Sequence, residues 1–239
     1  MNVVGAMKQV DQIIQKCRDD GRVNLTEHES RQIAELYELP IPPSILVKTQ
    51  ESAVEAAKKL GFPSVLKIIS PDILHKSDAG GVMLNLTTPE DVKEAYRKII
   101  QNAEKYNPKA KIHGVLVQKM VPKGREIIIG VVKDPQFGPA VMFGLGGIFV
   151  EVLKDVTFRV TPLKKEDAKA MVKEIKGYPI LSGIRGQKPI DFNSLIKALL
   201  SVSKLATDHP EIAELDLNPI MAFPNEIAVI DARIILEKQ

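Results

Sequence analysis

Apolar residues recur along this chain with two periods, and the switches between them outline its elements. From Asn2 to about Cys17, Val3, Met7, Val10, Ile13 and Ile14 fall at helical spacing, which predicts an amphipathic helix. In "NLTEHESRQIAELYEL" Thr26 stands three residues before Glu29, the capping-box signature of a second helix. "PIPPSILVKT" then reads as a strand entered through prolines, and "TQESAVEAAKKLG" as a helix closed by Gly61, with Lys58 and Lys59 near its negative end. "PSVLKIIS" and "GGVMLNL" are strands, "TPEDVKEAYRKIIQNAEKY" a helix with Thr88 as cap and Pro89 behind it, and "HGVLVQKMV" a strand. This half alternates strand and helix, as an α/β lobe does.

The second half changes character. "REIIIGVVKD", "PAVMFGL", "IFVEVL" and "VTFRVTPL" are consecutive strand candidates separated by Gly, Asp and Pro turns. Two helices follow, "KKEDAKAMVKEI" and "DFNSLIKALLSVSKLATD", the latter with Asp191 as cap, and then two strands, "IAELDLNPIMAF" and "EIAVIDARIIL". The break at "VPKGRE", Val121 to Glu126, marks a lobe boundary. The expected organisation is an N-terminal helical extension over 1–22, a first lobe over 23–121 and a second over 122–239.

Composition narrows the chemistry. With 33 basic and 30 acidic residues mixed along the chain, no Trp and few aromatics, there is no basic stripe for nucleic acid. No apolar run approaches the roughly 20 residues of a membrane span, and "MNVVGAMKQVDQIIQKCRDDG" lacks a signal-peptide pattern. A single cysteine, Cys17, fits a reducing cytoplasm and reads as a helix residue. His28, His75, His113 and His209 are scattered without zinc-ligand spacing. The function must therefore lie in a small-molecule site built from Lys, Arg, acids, Gly and one His.

The familiar phosphate motifs are absent. "FGLGGIFVEV" lacks the third glycine of a dinucleotide fingerprint and is followed by a strand-like run instead of a helix. No P-loop pattern occurs. Gly144, Gly146 and Gly147 mark either a tight hairpin or a backbone surface that approaches a ligand.

Near the C-terminus, Glu214, Asp216 and Asn218 alternate with Leu215 and Leu217, and Asp231 and Arg233 alternate with Ile230, Ala232 and Ile234. Each set shares one strand face. A hairpin symmetric about Pro224–Asn225 sets Asn218 opposite Asp231 and Asp216 opposite Arg233. Cβ atoms about 4.5–5.5 Å apart can share one divalent ion, and hard oxygen ligands suit Mg²⁺. The alternative is a solvated strand face with an Asp216–Arg233 pair. Lys67 interrupts "VLKII", where an unpaired charge is costly to bury. It is either an edge-strand lysine reaching water or a lysine held over a polyphosphate. In "PDILHKSDAGGVMLNL", His75 and Lys76 precede Gly80 and Gly81, more polar groups than a connection requires.

Three separated blocks, "VLKIISPDILHKSDAGGVMLNL", "VQKMVPKGREIIIGVVKDPQFGPAVMFGLGGIFVEVLKDVTFRVTPL" and "ELDLNPIMAF…AVIDARI", resemble in order the ATP-grasp β subunit of ADP-forming (NDP-forming) acyl-CoA synthetases, typically the acetyl-CoA synthetases of archaea. A more distant likeness is to the β subunit of succinyl-CoA synthetase. The resemblance implies an α+β fold of the ATP-grasp type, two lobes clamping ATP or ADP with Mg²⁺. The family interconverts acyl-CoA, ADP and phosphate with acid, CoA and ATP. It further implies a separate α subunit, in an α2β2 assembly, carrying the acyl-CoA chemistry and a first phosphohistidine.

By the same resemblance, Asn218 and Asp231 match the Mg²⁺ ligands, Asp216 an acid beside them, and Lys67 a lysine on the nucleotide phosphates. Gln118, Lys119 and Met120 match the strand beside adenine, with backbone groups of Lys119 and Met120 as readers, and Glu126 an acid near the nucleotide. Arg159 and Glu151 fall in the second-lobe sheet. His75 matches a second phosphoryl carrier, a sensible use of an imidazole whose unperturbed pKa is about 6.5. Lys76 and the N–H groups of Gly80 and Gly81 would then hold phosphoryl oxygens. Such a carrier meets two donors in turn, the α-subunit histidine and the nucleotide, which implies movement of its loop or lobe. Two further readings stay open: an ATP-grasp carboxylate ligase using an acyl phosphate without phosphohistidine, and a non-catalytic nucleotide-sensing module.

Overall fold

Helix starts in this chain are set by local chemistry. Thr26, Thr49 and Thr88 each accept a hydrogen bond from the backbone N–H three residues on, and the side chain there accepts one from the cap's own N–H. Each box satisfies two donors that a helix N-terminus leaves unpaired. Asp191 caps the long C-terminal helix by accepting from the N–H groups of Asn193 and Ser194. Gly61 ends its helix at φ 93°, a conformation that favours glycine.

The structure is a computed structural model that describes residues 3–147, 154–184 and 186–238. In order the elements are α1 (Val3–Asp19), α2 (Glu27–Leu36), β1 (Ser44–Val47), α3 (Gln50–Leu60), β2 (Ser64–Ile69), β3 (Val82–Leu86), α4 (Pro89–Tyr106) and β4 (Gly114–Lys119). Then come β5 (Arg125–Asp134), β6 (Gly138–Leu145), β7 (Val156–Val160), α5 (Lys165–Glu174), α6 (Tyr178–Ser182) and α7 (Phe192–Asp208). Three strands close the chain: β8 (Ile212–Ala222), β9 (Ile227–Val229) and β10 (Ala232–Leu236). The expected "IFVEVL" strand, with Glu151, lies outside the described residues.

The chain divides into two compact units, a central one from Pro42 to Pro122 and a terminal one made of everything before and after it. The central unit is a four-stranded sheet in the order β1-β4-β2-β3, antiparallel throughout. Leu66, Ile68, Val115 and Val117 face Ala53 and Ala57 of α3 and Val92 and Ile99 of α4.

The terminal unit is a six-stranded antiparallel sheet, β10-β8-β5-β6-β7 with β9 beside β8. Ile129, Val131, Phe143, Leu215 and Leu217 share one core with Leu195, Leu199 and Val202 of α7 and with Val10, Ile14 and Ile33 of α1 and α2. Residues 1–22 are thus no simple extension, and residues 23–41 lie in the unit formed by the second half. The cause is backbone pairing: Leu25 N–H donates to Ile234, Leu236 to Val23 and Val229 to Pro40, at 3.1, 2.8 and 2.9 Å. Cys17 is buried in this core, as a helix residue should be, and burial pushes its thiol pKa up.

The final hairpin keeps one register from its turn as far as Ile235 and shifts before Leu236. Ile220 faces Val229, Leu217 faces Ala232 and Asp216 faces Arg233. The expected single strand over "EIAVIDARIIL" is instead two, interrupted at Ile230 and Asp231. Ile230 N–H donates to the carbonyl of Pro219, but Pro219 has no N–H to return the bond.

Candidate functional site

In the terminal unit, Asp216 stands between Arg233 of β10 and Gly130 of β5, directly opposed to each. Asn218 and Asp231 continue the same register into the interrupted stretch, so the sequence expectation for the hairpin holds at these positions. The pairing of β8 with β5 slips between Ile127 and Ile129. The buried positions of β8 accordingly run Leu215, Leu217, then Ile220 and Ala222. The slip falls at Asn218 and leaves that side chain exposed. Burial pushes the Asp216 carboxyl above its ordinary range. Arg233 and Asn218 oppose the rise, and Asp231 and Glu214 add to it. Asp231 stands opposite Asn218, with Asp216 two residues along the strand, and two carboxylates with an amide oxygen are hard donors of the kind Mg²⁺ takes.

Beneath this hairpin lies a residue the sequence reading passed over. Arg31 of α2 is 1% exposed, and its Nη1 donates to the carbonyl of Ile230 at 3.2 Å. Glu27, one helical turn earlier, lies 3.7 Å from the same nitrogen. The only trace in sequence is an arginine on the side of α2 that carries Ile33 and Ala34 inward.

Glu126 is exposed on β5 opposite Met221, and its carbonyl accepts from Gly146 N–H at 2.8 Å. Gly146 and Gly147 pack against Glu126, where a Cβ would meet its atoms at 3.0 Å in each case. A Cβ on Gly144 would meet the Asp155 carbonyl oxygen at 2.7 Å and Val156 Cγ1 at 2.8 Å. Close approach therefore explains these glycines within the protein itself. Arg159 lies on β7, three strands from β8, and pairs with Glu174 of α5. His209 Nδ1 sits 3.4 Å from Asp11 and 3.7 Å from Glu211, a polar cluster joining α1 to the start of β8 that sequence spacing did not reveal.

In the central unit, Lys67 occupies β2, an inner strand paired with β3 and β4. It is 5% exposed, so the edge-strand alternative is excluded. Its neighbours Leu66 and Ile68 face the helices, which turns Lys67 to the opposite face. Gln118, opposite Val65, shares that face and is also buried. Lys119 is exposed at the end of β4. Met120 N–H is engaged by the carbonyl of Pro63 at 2.9 Å, so it is not the free reader the sequence suggested. Pro63 lacks the N–H that would return the bond, which leaves the Met120 carbonyl as the group for a donor from outside the ladder.

His75 is exposed on a turn between β2 and β3, with Lys76 half-buried behind it. The expectation for Gly80 and Gly81 needs correction. Their N–H groups donate to Ser77 and Lys76 carbonyls at 3.0 and 2.7 Å, so they close the turn and are not directed at a phosphate. Gly80 has φ 59°, and Asn102 Nδ2 donates to its carbonyl at 2.9 Å. A Cβ on Gly81 would stand 2.4 Å from Ile68 Cγ2.

Known proteins resemble this chain along nearly its whole length. The ATP-grasp domain model matches residues 16–236, and the chain belongs to that family. Within it, the chain is 50% identical over 225 residues to the β subunit of ADP-forming acetate–CoA ligase I of Pyrococcus furiosus. The match covers 94% of this chain and 97% of that one. Among solved structures, acetyl-coenzyme A synthetase 1 of Ca. Korarchaeum cryptofilum, in complex with coenzyme A and Ca-AMPCP, superposes with a TM-score of 0.92 at 48% identity. It covers 95% of this chain and 99% of its own. A second form of that enzyme has a TM-score of 0.85 at 46% identity, covering 95% and 100%. It holds coenzyme A and Mg-AMPPCP with a phosphohistidine segment pointing towards the nucleotide binding site.

Proposed function

We propose that this chain is the nucleotide-binding β subunit of an ADP-forming acetate–CoA ligase, an acid–thiol ligase that works with a separate α subunit. Acyl-CoA, ADP and phosphate are interconverted with acid, CoA and ATP. The observation that carries the reading is the donor set of Asp216, Asn218 and Asp231 on one hairpin, in a chain that matches such a β subunit from end to end. Asn218 and Asp231 would hold Mg²⁺, with Asp216 beside them. Bound there, Mg²⁺ supplies charge neutralisation for the nucleotide phosphates. On the central unit, Lys67 is assigned to nucleotide phosphate, and the Met120 carbonyl and Gln118 to adenine. Arg159 and Glu126 keep supporting roles on the terminal sheet.

His75 is the phosphoryl carrier. In the ATP-forming direction its N–P bond breaks as a terminal oxygen of ADP bonds to phosphorus, and the imidazole recovers its lone pair. Lys76 balances the charge on the transferred group. The α subunit supplies the acyl-CoA site and the first phosphohistidine, in an α2β2 assembly, and the pair works in the cytoplasm. Among the described residues no helix is long and apolar enough to cross a membrane.

The phosphohistidine segment seen in the Ca. Korarchaeum cryptofilum structure supports a second route. By that route a phosphohistidine segment, pointing towards the nucleotide binding site as in that structure, would pass its phosphoryl group directly and bypass His75.

Mg-ADP titration separates the metal assignment from the fold. Asp231→Ala is expected to lose the Mg²⁺-dependent part of ADP affinity while circular dichroism is unchanged, and unaltered Mg-ADP affinity would refute the assignment. Co-purification with the α subunit followed by acyl-CoA-dependent ATP synthesis tests the activity itself.

A further inference from the structure

We infer that Arg31 is a positioning residue for Asp231, reaching 199 residues along the chain to hold the peptide from which that carboxylate projects. The inference rests on the reading of Asp231 as an Mg²⁺ ligand.

Three observations converge on Arg31. Ile230 should exchange two ladder bonds with its opposite residue, but that residue is Pro219, which accepts from Ile230 N–H and has nothing to donate. The carbonyl of Ile230 is therefore left to another donor, and Arg31 Nη1 supplies it at 3.2 Å. Fixing that carbonyl fixes the Ile230–Asp231 peptide plane, and with it the direction in which the Asp231 side chain leaves the backbone.

The second observation is burial. Arg31 is the largest fully buried side chain among the described residues, and its partner Glu27 is buried with it. At 3.7 Å the pair is too long for a hydrogen bond. A buried ion pair is weak evidence for stability, and the bond to the Ile230 carbonyl gives this guanidinium a second use. The third observation is proximity: the charged Nη1 sits 3.2 Å from the carbonyl of the residue immediately before Asp231. Asp231 is therefore within the reach of its charge. A planar guanidinium keeps both its charge and its orientation when buried, where lysine would keep only a mobile point charge.

The test uses the full 239-residue chain and ADP as probe, titrated with and without Mg²⁺. The readout is the ratio of the two dissociation constants, together with the melting temperature. Partners that orient metal ligands are worth about 10–100-fold in metal affinity. Arg31→Met is expected to cut the ratio by about that factor, with metal-free ADP binding unchanged and Arg31→Lys recovering part of the loss. A lower melting temperature with the ratio intact overturns the inference and makes Arg31 purely structural. Asp231→Asn separates the two claims. If it cuts the ratio and Arg31→Met does not, the inference alone fails; if neither cuts it, the Mg²⁺ assignment fails and takes the inference with it. Should Arg31→Met not fold, Arg31→Lys decides: a reduced ratio supports the inference, and an unchanged one overturns it.

Discussion

Lys67 and His75 stand one short turn apart in the central unit, yet the protein holds them in opposite ways. Lys67 is on an inner strand, paired on both sides and 5% exposed. His75 is exposed on a turn whose own backbone bonds close it, and Asn102 and Ile68 anchor only its far end. The terminal unit has no such contrast, because Asp216, Asn218 and Asp231 all ride one hairpin in a fixed register. Groups that bind phosphate and metal gain from being fixed, since orientation lost in binding is orientation already supplied. A group that must accept phosphoryl from one donor and pass it to another gains from a tether. The difference in support therefore parallels the difference in proposed role.

The largest effect that tests this contrast is expected at His75. His75→Asn should abolish acyl-CoA-dependent ATP synthesis in the complex with the α subunit, by at least about 10³-fold as for removal of a covalent catalyst. Mg-ADP binding should be untouched. Full activity in the variant would favour direct transfer from a phosphohistidine segment and leave the tethered turn without its role. Lys67→Met should act the other way round. Nucleotide affinity and turnover should fall together, roughly 10²-fold for loss of one preorganised cation. Isothermal titration with ADP checks it, and affinity equal to the parent protein would reduce Lys67 to a packing residue.

Much of this arrangement was legible in the sequence where the cause is local. Thr26 and Thr88 announced their helices because a cap is complete within four residues. The hairpin register was legible because the turn and both alternating faces sit together in one stretch. What depends on distant partners was not. Nothing near Leu25 or Pro40 shows that they pair with Ile234 and Val229, nor does α2 show that Arg31 answers a proline near the other end of the chain. Gly80 and Gly81 looked like a phosphate cradle because a glycine pair signals conformational freedom and close approach alike, and only the neighbours Asn102 and Ile68 show which is in use.

That correction makes a smaller, structural prediction. Gly81→Ala places a methyl 2.4 Å from Ile68 Cγ2 and 3.0 Å from the Lys76 carbonyl. Overpacking of this kind costs about 1–3 kcal/mol, which lowers the melting temperature by roughly 2–4 °C per kcal/mol in a protein of this size. Because the strain falls where the turn meets β2, phosphoryl transfer should decline with it while Mg-ADP affinity holds. An unshifted melting curve would show that the turn is not seated on Ile68, and the contrast with Lys67 would widen further.

The smallest expected effect lies in the segment that braces the terminal hairpin. Arg22 grips Glu29 with both guanidinium nitrogens, at 3.0 and 2.9 Å, and Glu29 also completes the cap at Thr26. Burial alone would raise the Glu29 pKa, but the bonds from Arg22 and Thr26 outweigh it and bring the carboxyl below its ordinary range. An unfolded Glu titrates near about 4.3, so the folded protein releases this proton at lower pH than the unfolded chain does. The resulting stability is fully present above that value and is lost as pH falls through the lower folded value. Glu29→Gln should therefore lower stability at neutral pH by on the order of 1 kcal/mol, the usual worth of a cap, and flatten the acid limb of the stability curve. Urea unfolding from neutral pH down to the acid limb reads both. A variant whose acid limb stays as steep as the parent's would place the acid sensitivity elsewhere. It would also leave the bracing of the hairpin to Arg31 and the backbone bonds at Leu25, Val229 and Leu236.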